Sequence, residues 1–92
     1  MRREHKSLGL TIDLPEITQR ELENFYSAMR QAGVDPDVVS SVEYVGGVVR
    51  EAARQGWLNG IGDVEGMPPK AFNWIAKQIN LHIAEALKIP PE

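Results

Sequence analysis

The last third of the chain carries its most regular pattern of apolar and polar positions. Between Pro68-Pro69 and Pro90-Pro91, apolar residues recur at three- and four-residue steps, namely Phe72, Ile75, Ala76, Ile79, Ile83, Ala86 and Leu87. At about 100° per residue these positions form one stripe. Proline suits the first turn of a helix and prevents its continuation further on. The pattern predicts a helix over residues 69–87.

The same predicted helix carries a second apolar pair. Trp74 and Leu81 are one heptad apart and fall opposite the stripe, with Lys77, Gln78, Glu85 and Lys88 around them. A surface helix needs only one apolar stripe, so this helix is either covered on both sides or bound by a partner. In the second case the pair forms the centre of a protein interface, and Lys77, Gln78 and Glu85 belong to its polar rim. The alternative is that a loop over residues 57–67 covers Trp74.

The N-terminal region has a different period. Leu8, Leu10, Ile12 and Leu14 alternate with glycine or polar residues, which is typical of a half-buried strand. No partner strand is evident in the sequence, so this segment is an extended arm on the helices, an edge strand added to another chain, or one member of a small sheet. We therefore predict a flexible, solvated arm over residues 1–7, followed by an extended segment or single short strand over residues 8–14.

A helix is predicted over residues 18–32. Thr18 is placed to accept a hydrogen bond from the first turn, and Glu21 lies three residues later, which together indicate a capping box. The buried stripe comprises Leu22, Phe25, Tyr26 and Met29. Gly33 suits the left-handed position after the last turn.

Residues 37–55 allow two interpretations. Gly46-Gly47 between valine-rich runs is typical of a hairpin with a two-residue turn. However, one helical stripe of about five turns contains Val38, Val42, Val45, Val49, Ala52, Ala53 and Gly56. We favour the helix, with Glu43, Arg50 and Arg54 on its outer side and Tyr44 partly exposed beside the stripe. Each internal glycine costs about 1 kcal/mol relative to alanine, so we expect another helix to approach closely at Gly46.

A glycine-rich loop over residues 57–67 completes the pattern. It contains the apolar residues Trp57, Leu58, Ile61, Val64 and Met67, so we expect it to fold back over the helices. The whole chain is then a single domain of the mainly α class. The prediction is a compact three-to-four-helix domain with an extended N-terminal arm or single short strand.

Composition narrows the functional classes. The net charge of −3 offers no excess of positive charge for phosphate, so we expect no nucleic-acid partner. The chain has no cysteine, which removes disulfides and thiolate chemistry and fits a reducing compartment. No apolar run approaches the ~20 residues of a membrane span. We expect a cytoplasmic protein without a membrane partner.

Candidate catalytic and metal-binding residues are few. His5 and His82 are far apart, and neither has a second ligand at metal-binding spacing. Gly60-Ile61-Gly62 lacks the third glycine of a dinucleotide fingerprint. We predict no catalytic residue, no cofactor and no metal, and therefore no enzymatic activity. A concave pocket containing Glu43, Glu51 or His82 with strongly perturbed titration would be the feature that favours an enzyme.

Three stretches carry a family resemblance. The run Ile12–Phe25 resembles the "I-D-L-x-x-I-T-x-R-E-ϕ-x-x-F" opening of small phage tail-assembly-chaperone-like proteins of siphophages and prophages. Val48–Ala52 is similar to the "V-V-R-A" helix of that group, and Trp74–Ile79 with Ile89–Glu92 is similar to its ending. The resemblance implies an all-helical body that binds a tail protein, such as the tape measure or the tube subunit, without cofactor or catalytic residues.

The apolar surface that the core does not use indicates a protein that binds other proteins and can form homo-oligomers. Two functional hypotheses follow. The first is a phage tail assembly chaperone in the host cytoplasm, which shields apolar segments of a longer tail protein. The second is a small phage-encoded inhibitor of a host defence protein, similar to an anti-CRISPR. Both need an exposed aromatic or apolar site, so the sequence does not separate them.

Overall fold

The computed structural model describes residues 2–34 and 42–89, in which three helices and a small antiparallel sheet form a mainly α fold. The regular elements are β1 (Arg2–His5), β2 (Leu10–Asp13), α1 (Gln19–Gln31), α2 (Val42–Arg54) and α3 (Pro69–Leu87). Two short 3₁₀ turns cover Lys6–Leu8 and Val64–Gly66. The prediction of a mainly α domain is confirmed.

The extended segment predicted over residues 8–14 contains β2, whereas the prediction of a flexible arm before it is wrong, because that arm contains β1 and the two strands form one sheet. β1 and β2 pair antiparallel, with Arg3 opposite Ile12 and His5 opposite Leu10. The connecting turn ends at Gly9 with φ of 65°, a conformation that glycine adopts without strain. The backbone ladder supplies the pairing and needs no apolar pattern in β1. The sequence therefore gave no sign of a second strand.

The capping prediction for α1 is confirmed. The backbone N–H of Glu21 donates to the Thr18 hydroxyl at 3.2 Å, and that hydroxyl donates to Oε1 of Glu21 at 3.0 Å. Leu22, Phe25 and Met29 form the buried face of α1. The helix ends at Gln31, and Gly33 takes the predicted left-handed conformation with φ of 79°.

Residues 42–54 form a helix and not a hairpin, as the stripe predicted. The predicted turn at Asp35–Asp37 and the first part of the predicted 37–55 helix lie outside the described residues. The buried face of α2 differs from the prediction, since Val42 is 86% exposed whereas Tyr44 and Glu51 are buried. The positions of the valines did not identify the buried face of α2, because Tyr44 packs in the core beside Val48, Val49 and Ala52.

The close approach in α2 occurs at Gly47 and not at Gly46. A Cβ atom at Gly47 would lie 2.8 Å from Cγ2 of Val34, which follows α1. A Cβ atom at Gly46 would instead lie 2.8 Å from a guanidinium nitrogen of Arg50 in the same helix. The absence of a side chain at Gly47 therefore makes room for Val34, and at Gly46 it makes room for Arg50.

The core joins the inner face of α3 to α1, α2 and β2. α3 buries Ala71, Ile75, Ala76, Ile79 and Ile83, but the predicted stripe does not continue to Leu87, which is 60% exposed. Trp57 is 1% exposed and stacks on Phe25, with ring centroids 4.9 Å apart. The segment over residues 57–67 packs against the core as expected, through buried Leu58 and half-buried Ile61, Val64 and Met67.

Candidate protein-binding surface

The outer face of α3 contains four of the five predicted interface residues, in different degrees of exposure. Leu81 is 43% exposed, and Lys77 and Glu85 are exposed beside it. Gln78 is only 8% exposed, so it cannot belong to a polar rim. Gln78 lies at the edge of the core-facing side of α3, which the heptad relation of Trp74 and Leu81 did not reveal.

Trp74 is half-buried, and the structure identifies a residue that covers it. The His5 ring of β1 meets the Trp74 ring edge to face, with centroids 5.6 Å apart. The Nδ1 atom of His5 also accepts a hydrogen bond from the backbone N–H of Leu8 at 3.3 Å, which orients the imidazole. Trp74 is thus partly shielded by the N-terminal strand, a third possibility beside the predicted interface and loop.

An open apolar groove lies between the first turns of α2 and α3. This groove, here the Val42 groove, has a volume of about 340 Å³. Its lining consists of Val42, Glu43, Val45, Gly46, Arg50, Glu65, Met67, Pro69, Phe72 and Asn73. The sequence pattern missed this surface, although the glycine at position 46 and the cluster of apolar residues after Gly66 were visible signals.

A salt bridge between Arg50 and Glu65 stabilises one end of the Val42 groove. The Nε atom of Arg50 donates to Oε1 of Glu65 at 2.7 Å and to Oε2 at 3.1 Å. The same guanidinium lies over the Phe72 ring, 5.7 Å from its centroid, in a cation–π contact. These contacts tie the Val64–Gly66 turn to α2 and α3, and so define the groove's shape.

A second groove of about 380 Å³ continues from the first along α3. It shares Val45 and Asn73 with the Val42 groove and is also lined by Tyr44, Ala76, Lys77, Asn80 and Leu81. Lys77 is the only charged side chain among the described lining residues, and the others are apolar, amide or phenolic. The two grooves together give α2 and α3 a continuous surface suited to an extended apolar segment.

The acidic residues named as an enzyme criterion lie in another groove. Glu43 and Glu51 line a groove of about 290 Å³ together with Arg50 and Arg54, and among the described residues no histidine, serine or threonine lines it. The Glu51 carboxylate is engaged by Arg54 at 3.4 Å and by the side-chain amide of Gln55 at 3.2 Å. The lining therefore offers ion pairs but no hydroxyl nucleophile with a neighbouring base.

His82 does not line that groove and is buried, with 9% of its surface exposed. Its Nε2 atom is 2.6 Å from the backbone carbonyl oxygen of Pro15. Because that carbonyl can only accept, Nε2 carries the proton. The Nδ1 atom has no hydrogen-bond partner among the described residues. Across residues 2–34 and 42–89, no three His, Asp or Glu side chains cluster as metal ligands.

Within residues 2–34 and 42–89, one titratable group has a clearly perturbed pKa. Burial raises the pKa of Tyr26 above the ordinary tyrosine value, and the neighbouring Tyr44 raises it further. Both effects disfavour the charged phenolate. Tyr26 also packs edge to face on Phe25, with centroids 5.4 Å apart, so it is most simply a core-boundary residue.

Comparison with protein-family models, curated proteins and solved structures finds no match to this chain. Among the helices of the described segments, none has the length and apolar character required to cross a membrane. The geometry of the surface is therefore the basis for any functional assignment.

Proposed function

We propose that this chain is a non-enzymatic protein-binding domain that acts as a phage tail assembly chaperone. In this role it shields an apolar segment of a longer tail protein, such as the tape measure or tube subunit, in the host cytoplasm until assembly. The Val42 groove is the single observation that carries the proposal, and an apolar segment of the tail protein is its occupant.

The composition of the Val42 groove supports an apolar occupant. Val42 is 86% exposed at its edge, and half-buried Val45, Met67 and Phe72 lie inside it. Fully burying a valine-sized side chain is worth roughly 1.5–3 kcal/mol, so covering Val42 alone would contribute appreciably to binding. Arg50 and Glu65 already neutralise each other, so the exposed Glu43 is the remaining charged side chain among the lining residues that the structure describes.

The choice of a tail protein as partner rests on the resemblance of Ile12–Phe25 and of the chain ending to tail-assembly-chaperone-like proteins. The carboxylates that line the grooves are either exposed or engaged in ion pairs. This is consistent with a binding role. A host defence protein would use the same apolar surface, and the experiment below separates the two partners.

The experiment is co-expression with the tape-measure and tube proteins of the same phage, followed by co-purification. We expect a soluble complex with one of them, which Val42→Glu disrupts by placing a charge in the apolar groove. Asn24→Glu is the matched control, because it adds the same charge at an exposed position on α1. Its complex should persist.

Two outcomes would overturn the proposal. One is the absence of a complex with any tail protein, with stable capture of a host defence protein instead. The other is a tail-protein complex that tolerates Val42→Glu as well as Asn24→Glu, which would place binding outside the Val42 groove.

A further inference from the structure

We propose that the outer face of α3 binds a second copy of this chain, as an antiparallel two-fold contact centred on Leu81. This inference goes beyond the proposed function, because Leu81, Lys77 and Glu85 do not line the Val42 groove, although Leu81 and Lys77 line the second groove beside it. It starts from the exposed side chain of Leu81, 43% accessible on a helix whose other large apolar residues before Ala84 are buried or half-buried.

The charges around Leu81 are self-complementary. Lys77 and Glu85 lie four residues before and four residues after Leu81, so they project on the same outward face of the helix. Both are exposed, and neither forms an ion pair within the described segments. When two copies of α3 run antiparallel about Leu81, Lys77 of each copy lies level with Glu85 of the other.

The arrangement selects one orientation and one partner. An antiparallel pair forms two Lys77–Glu85 contacts by symmetry, as expected for an isologous interface. A parallel pair in the same register would place Lys77 beside Lys77 and Glu85 beside Glu85, which is repulsive. A second copy therefore matches Leu81, Lys77 and Glu85 of this face in both charge and apolar character.

The contact is small, so we expect a reversible dimer whose population rises with protein concentration. Exposed ion pairs are screened by salt, so the dimer should weaken as ionic strength increases. Each exposed pair contributes modestly, and reversing one charge turns two attractive contacts into two repulsive ones. We expect each single reversal to raise the dimer dissociation constant about tenfold.

The test is sedimentation equilibrium of wild type, Lys77→Glu, Glu85→Lys and an equimolar mixture of the two variants. Each variant alone should be more monomeric than wild type, and the mixture should dimerise again, because each Lys or Glu then meets an opposite charge. Arg20→Glu and Glu23→Lys are the charge-matched controls at exposed positions on α1, and they should dimerise like wild type.

Circular dichroism of every variant checks that α3 remains helical. The proposal is overturned by a wild type that stays monomeric at all concentrations, by single reversals that dimerise as well as wild type, or by a mixture that gains nothing over its components. Failure here leaves the Val42 groove untouched, since that groove is tested with Val42→Glu and a tail protein.

Discussion

Alanine substitutions at the two adjacent glycines of α2 should have different effects. A Cβ atom at Gly47 would lie 2.8 Å and 3.1 Å from the two methyl carbons of Val34. Carbon atoms in contact normally lie about 3.5–4.0 Å apart, and the β-branched Val34 has little rotamer freedom to move aside. At Gly46 the new methyl group meets only the end of the flexible, exposed Arg50 side chain.

The magnitudes follow from these contacts. Both substitutions gain about 1 kcal/mol of helix propensity. Gly47→Ala also overpacks the contact with Val34, which should cost about 1–3 kcal/mol. Gly46→Ala at most weakens the surface Arg50–Glu65 pair, worth about 0–1 kcal/mol. We therefore expect Gly47→Ala to be less stable than Gly46→Ala by about 1–2 kcal/mol, a difference in which helix propensity cancels.

Urea unfolding followed by tryptophan fluorescence measures this difference, since buried Trp57 is stacked on Phe25 in the folded state. The midpoints should differ while the slopes stay equal. A double-mutant cycle with Val34→Ala should recover much of the loss in Gly47→Ala, because the clashing methyl groups are then absent. Equal stability of the two alanine variants, or no coupling to Val34, would refute the packing argument.

Three further predictions concern the first helix and its neighbours. Thr18→Ala should lower the free energy of unfolding by about 1 kcal/mol through loss of the cap, measured in the same urea experiment, whereas a change within error would contradict the observed cap. Trp57→Phe removes the 3.3 Å hydrogen bond from the indole to Glu21 and leaves a cavity where the larger ring was buried, so it should cost roughly 2–4 kcal/mol, and a loss within error would show that neither contact is stabilising. Because its pKa is raised on folding, Tyr26 should make stability fall as the pH rises above the ordinary tyrosine pKa of about 10. Tyr26→Phe should flatten that alkaline decline in thermal unfolding, and an unchanged slope would exclude Tyr26 as its source.

Local signals predicted the helices well. Thr18 with Glu21, and Pro68-Pro69 before an apolar stripe, marked the starts of α1 and α3 through contacts made within a few residues. Such contacts are encoded by neighbours in sequence. The helix at residues 42–54 was also predictable, because its periodic pattern outweighed the two glycines.

Long-range partners were not predictable. β1 alternates exposed Arg2 and Glu4 with half-buried Arg3 and His5, so its pairing with β2 leaves no apolar signature. Glu51 is buried with its carboxylate engaged by Arg54 and Gln55. The sequence does not indicate that this charged residue is buried. A buried charge of this kind depends on partners that only the folded chain brings together.

The candidate surface was predicted in part. Leu81, Lys77 and Glu85 are exposed as expected, since they oppose the stripe of α3. The Val42 groove was missed because it combines the first turn of α2 with the start of α3, which are far apart in sequence. Its exposed valine had been assigned to the buried stripe, and only tertiary packing distinguishes those two faces.

Amide hydrogen exchange on the complex with the tail protein is the most direct test that the Val42 groove is the binding surface. We expect slowed exchange in the first turns of α2 and in residues 67–73, where Val45, Met67 and Phe72 line the Val42 groove, with α1 unchanged. Protection confined to α1 or to the β1–β2 sheet, with free exchange around the groove, would contradict it.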